Sequence, residues 1–131
     1  EYLMPRLFGP LGIWRPTWEC DPLGNTFGAG GLMLTLSELH RFGLLYLNEG
    51  MWNGQQLIPR EWVKESTQQQ YSAPYAYLFW RGKFNSFRAD WKYGQLSIVF
   101  PEKNAVITMT AQAFDVKPLM TLIYDELYPQ L

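Results

Sequence analysis

The chain has 131 residues, a formal net charge of −1 and 47% hydrophobic content, enough for one compact domain with a small core. Its 11 basic residues are scattered, so no electrostatic footprint for nucleic acid or an anionic membrane surface is present, and no apolar run approaches the roughly 20 residues of a membrane span. The single Cys20 makes no internal disulfide, and with His40 the one histidine there is no ligand set for zinc or another transition metal. No cofactor is expected, and the setting expected is reduced and cytosolic.

Residues 1–7 read as the end of a helix stopped by Gly9 and Pro10, so the chain begins within an element. Residues 8–31 are dense in Gly and Pro and predict an irregular surface segment, ordered rather than free because Trp14, Trp18 and Phe27 need something to pack on. Thr35-Leu-Ser-Glu38 is a capping box, and the helix it starts runs to Asn48, with Leu39, Phe42 and Tyr46 on one face and Leu36 and Leu45 alongside. Asn53-Gly54 centres a short hairpin, and Pro59 opens a second helix through Trp62, Val63 and Ser66.

The stretch from Tyr75 to Gln112 holds three β-rich runs, Tyr75 to Trp80, Phe87 to Phe100 and Ala105 to Thr110, which predict a three-stranded antiparallel meander. Pro101 to Asn104 makes the loop of its last hairpin. Val106, Thr108 and Thr110 alternate with Ile107 and Met109, so the sheet should be covered on both faces. Gly94, inside the second run, implies a bulge or a close approach by a ligand or another backbone. Asp115 is placed to cap a last helix whose buried stripe is Val116, Leu119, Met120, Ile123 and Leu127.

The succession PLGI (10–13), DPLGNTFGAGGLMLTLSELHRFGLLYLNEGMWNGQQLIPREWV (21–63), YAYLFW (75–80) and WKYGQLSIVFPEKNAVI (91–107) resembles the C-terminal part of the serine β-lactamase-related family, which includes class C β-lactamases and penicillin-binding-protein-like esterases. The resemblance covers nearly the whole chain. It implies an α+β, partial β-lactamase/transpeptidase-like fold: one segment of a larger hydrolase domain, with 1–74 contributing to a helical lobe and 75–131 supplying strands and the C-terminal helix. It also implies chemistry on an ester, amide or peptide through an acyl-enzyme.

Family members attack with the serine of a Ser-x-x-Lys motif, assisted by a Tyr-x-Asn or Ser-x-Asn motif, both N-terminal to this segment. Three residues after Ser37, Ser66, Ser72, Ser86 and Ser97 stand His40, Gln69, Tyr75, Ala89 and Phe100, and a serine without an activating base is a poor nucleophile. The chain alone is expected to be inactive. The family's Lys-Thr-Gly motif falls, by the resemblance, at Trp91-Lys92-Tyr93-Gly94. There the Lys92 amide would donate to the oxyanion, Trp91 and Tyr93 would wall the substrate, and Gly94 would let it lie close to the strand. Many relatives carry glycine where Trp91 stands, which implies either a narrower pocket or a sequence that has drifted from catalysis.

Simpler readings stand beside these. Lys92 by itself is a solvated lysine at a strand end, Gly94 a structural bulge, His40 a surface or half-buried histidine, and Cys20 an inert loop thiol. Trp62, Trp80, Tyr75 and Tyr77 suit a core or lobe interface. Two further readings of the whole chain are a non-catalytic module that binds carbohydrate or peptide through exposed aromatics, and an assembly piece that self-associates through unpartnered apolar surface.

Overall fold

The computed structural model describes residues 2–28, 30–70 and 72–131. Glu1 of the expected N-terminal helix end and Ala29 of the glycine-rich segment lie outside them, as does Tyr71. In chain order the elements begin with a wide helical turn, Met4–Phe8, then β1 (Thr17–Trp18), β2 (Leu32–Met33) and helix α1 (Leu36–Leu47). A two-strand hairpin follows, β3 (Met51–Trp52) with β4 (Gln55–Gln56), then helix α2 (Arg60–Thr67). Strands β5 (Trp80–Arg81), β6 (Phe87–Trp91), β7 (Gln95–Phe100) and β8 (Ala105–Met109) form one antiparallel sheet in that order. The chain closes with α3 (Lys117–Thr121), a wide turn Leu122–Leu127 and a tight one, Tyr128–Gln130.

Local chemistry sets most of these boundaries. The Thr35 hydroxyl accepts from the Glu38 amide at 3.3 Å, and the Glu38 carboxylate accepts from the Thr35 amide at 2.8 Å, so two of the four orphan donors at the start of α1 are satisfied. At its other end Glu49 and Gly50 take positive φ of 52° and 84°. Asn53 and Gly54, at φ 48° and 79°, give the left-handed pair that a two-residue hairpin requires. Pro59 stands immediately before the first turn of α2, and Asn104, at φ 48°, closes the β7–β8 loop.

The sheet is sandwiched. Alternation along β7 sends Leu96, Ile98 and Phe100 toward the C-terminal helix, where they pack with Ile107, Ile123 and Tyr124. Phe87, Val99 and Val106 pack on the other face with Phe42, Tyr46, Val63 and Phe79. Helix α1 is buried on two sides, because Leu45, next to Tyr46, joins a third cluster with Phe8, Leu11 and Ile13 of the N-terminal segment. A polar chain crosses the α1–sheet contact: His40 Nδ1 lies 3.0 Å from Thr108 Oγ1, which lies 2.9 Å from the buried Ser97 Oγ. These groups satisfy one another in a partly buried contact.

Several expectations are corrected. The sheet has four strands, not three. The run Phe87 to Phe100 folds back at Lys92-Tyr93-Gly94, where Tyr93 and Gly94 take φ of 66° and 83°, and Trp91 pairs with Gln95. Only Trp80 of the run Tyr75 to Trp80 enters a strand, because Leu78 turns left-handed at φ 67°. Leu36 is half-exposed and Trp14 is largely exposed. The last helix is not one α stripe: the wide turn rotates Leu127 out and Tyr124 and Tyr128 in, where both rings meet Phe100.

Candidate functional site

The tight β6–β7 turn carries all four residues that the sequence reading singles out, but their side chains do not converge. Trp91 lines a cleft of about 280 Å³ together with Gly30, Gly31, Leu32, Asp90, Gln95 and Thr110. Lys92 is exposed and is not part of that lining. Tyr93 meets Phe114 edge-on with ring centroids 5.9 Å apart, and its carbonyl accepts from the Ala113 amide at 3.0 Å. Gly94 is buried, and a Cβ there would lie 3.1 Å from Val116, 3.2 Å from Leu119 and 3.3 Å from Ala111. The close approach foreseen at Gly94 is thus made by the segment that leads into the last helix. The motif is a turn at a strand end rather than a continuous strand.

Three segments assemble the cleft. The Trp18 indole N–H donates to the Phe27 carbonyl at 2.9 Å and the Gly30 carbonyl at 3.0 Å, which ties the glycine-rich segment down beside β6. Trp91 then lies against Gly30 so closely that a Cβ at 30 would be 3.2 Å from its ring. Gly31 takes φ 81° where the chain turns into β2. Asp90 contributes a carboxylate paired with Arg88 at 2.7 Å, both side chains about one-fifth exposed, so part of the negative charge is already answered. In the loop before the cleft, the Asn25 amide and the backbone amides of Leu23 and Asn25 hold the Asp21 carboxyl below the usual carboxylate range.

The sequence reading missed Gly30, Gly31, Asp90, Gln95 and Thr110 as cleft residues. The one local signal was the glycine pair ahead of an apolar residue, which fits close packing by an aromatic ring; the others come together only through the sheet register. Among the described residues no group of three or more His, Cys, Asp or Glu could hold a metal ion, and no helix is long and apolar enough to cross a membrane.

An antiparallel sheet with helices on both faces, closed by a C-terminal helix and preceded by α1 and α2, is matched over nearly the whole chain by part of a larger solved structure. The particular solved structure is from Bacillus anthracis and is named "Putative 6-aminohexanoate-dimer hydrolase": its TM-score is 0.81 and its identity 22%, over 99% of this chain and 37% of that one. At that identity the likeness shows the fold. This chain spans little more than a third of that protein's length. No protein-family model matches the sequence, and no curated protein does.

Proposed function

We propose that this chain is the C-terminal portion of a serine hydrolase of the β-lactamase-related type, acting on an ester or amide through an acyl-enzyme. Supporting this is one coincidence. A chain that matches a hydrolase fold over 99% of its length carries a glycine-containing turn, Trp91 to Gly94, at the rim of a cleft, where the resemblance calls for an oxyanion donor. The name of the similar structure adds an amide-linked dimer to the substrate classes worth assaying.

In this reading the backbone amide of Lys92 stabilises the developing oxyanion, and Trp91 walls the acyl group. Gly94 holds the turn against Val116 and Leu119. The nucleophilic serine and its lysine come from a preceding segment, so the 131 residues are inactive alone. One oxyanion donor is worth roughly 10² to 10³ in rate.

The discriminating pair of variants is made in a longer product of the same gene that includes a Ser-x-x-Lys. Lys92→Ala keeps the amide and leaves kcat for p-nitrophenyl acetate within about twofold, whereas Lys92→Pro removes the donor and lowers kcat by about 10². Trp91 is already extended, at φ −131° and ψ 172°, as a residue preceding proline must be. Equal losses in the two variants would assign the role to the side chain instead.

A second reading, self-association of this segment, rests on its surface. Trp14, Leu23, Leu78 and Phe114 are 71%, 86%, 80% and 93% exposed, and β8 stands at the edge of the sheet, where its unpaired backbone groups can pair with another chain. Light scattering at increasing concentration tests it: mass rising to a dimer or beyond supports the reading, and a strict monomer contradicts it.

A further inference from the structure

At the opposite end of β6 from the Trp91 turn lies a second cleft, of about 500 Å³, between α2, the end of α1 and the β5–β6 connection. Its apolar wall is made by Tyr46, Leu47, Val63, Phe87 and Pro101. Three cations line it, Arg60, Lys64 and Arg81, against one carboxylate, Glu49, which Arg60 already engages at 2.9 Å.

Arg81 carries the argument. Its guanidinium donates to the Thr67 carbonyl at 3.1 Å and to the Asn85 side-chain oxygen, and both acceptors are neutral. Among the described residues the carboxylate ion pairs are Arg60–Glu49, Lys83–Asp125 and Arg88–Asp90, so Arg81 is held in place, partly desolvated, without a counter-charge. A fully buried charge is paired; Arg81 is only partly buried, and its protein partners are neutral. Two of its five N–H groups are engaged by these acceptors, which leaves the planar fork able to take a carboxylate. Burial pulls its pKa below that of an ordinary arginine, yet a guanidinium stays charged in a protein. Lys64, three residues before the Thr67 carbonyl that anchors Arg81, lines the same cleft.

We propose that this cleft binds a small carboxylate with an apolar body, its headgroup on Arg81 and Lys64 and its hydrocarbon against Leu47 and Pro101. A bare anion would leave the exposed Pro101 and the half-buried Leu47 uncovered. An uncharged hydrocarbon would leave Arg81 unanswered.

The test titrates the isotopically labelled 131-residue chain with octanoate, octan-1-ol and inorganic phosphate, followed by amide chemical shifts. Octanoate is expected to bind with a Kd on the order of 1 mM, shifting residues 63–64, 81 and 87, while octan-1-ol and phosphate bind at least tenfold more weakly. Arg81→Gln abolishes saturation. Because that change also frees the Thr67 carbonyl, Lys64→Glu on the exposed side of α2 serves as the folding-neutral variant, expected to weaken octanoate about tenfold with the spectrum otherwise unchanged. Octan-1-ol binding as tightly as octanoate, phosphate doing so, shifts confined to other surfaces, or a Lys64→Glu variant of unaltered affinity would each overturn the proposal.

Discussion

Two glycines show how single residues are fixed by what stands opposite them. Gly43 lies inside α1, where alanine is worth about 1 kcal/mol more in intrinsic propensity. A Cβ there would nonetheless sit 2.8 Å from Val106 and collide with the Ser97 hydroxyl, both on the sheet under the helix. Overpacking of a buried helix–sheet contact costs about 1–3 kcal/mol, which meets or exceeds the propensity gain, so Gly43→Ala should fail to stabilise the protein and lower its stability by up to about 2 kcal/mol in urea unfolding. Gly94→Ala adds a left-handed penalty of about 1–2 kcal/mol to contacts at 3.1–3.3 Å, and should cost about 2 kcal/mol or more with an unchanged m-value. The sequence marked Gly94 as special because a glycine inside a β-rich run is an anomaly. Gly43 carried no such mark, since its reason lies 54 residues away in Ser97 and 63 in Val106.

At the scale of elements, devices confined to a few neighbouring residues were legible and those set by distant contacts were not. The Thr35–Glu38 capping box, the Asn53-Gly54 hairpin, the Pro59 helix start and the Pro101–Asn104 loop formed where expected, since each depends on hydrogen bonds or φ values within four residues. The split of the second β run and the wide turn at Leu122–Leu127 were not read, because Tyr93 adopts a left-handed conformation unusual for its type and Tyr124 is drawn inward by the Ser86 hydroxyl, 3.1 Å from its own. Thr35→Ala should cost about 1 kcal/mol. The Glu38 carboxyl is held below its usual range by the Thr35 amide first and the Thr35 hydroxyl second. Its contribution is therefore complete above the unfolded-state pKa, about 4.3, and is lost as pH falls through the lower folded value. Urea midpoints of Glu38→Gln should accordingly fall less than wild type between pH 5 and pH 3. Thr108→Val, which removes the shared partner of His40 and Ser97, should cost about 1–3 kcal/mol.

Across the whole molecule, burial is arranged as layers: the N-terminal segment, α1, the sheet and the C-terminal helix, with a separate apolar cluster in each gap. Hydrophobic alternation in β7 and β8 made the two-sided sheet legible from sequence, and the structure has it. The cleft was legible only at Trp91, since Gly30, Asp90, Gln95 and Thr110 reach it from three separate stretches that no local pattern connects. The most direct test of the proposed hydrolase reading is intact mass after exposure to a fluorophosphonate, with nitrocefin and p-nitrophenyl acetate turnover in parallel, on this chain and on a longer product of its gene bearing Ser-x-x-Lys. The reading predicts an adduct and turnover in the longer protein and neither in the 131 residues. An adduct on Ser37, Ser66, Ser72, Ser86 or Ser97, or inactivity of both proteins, would contradict it.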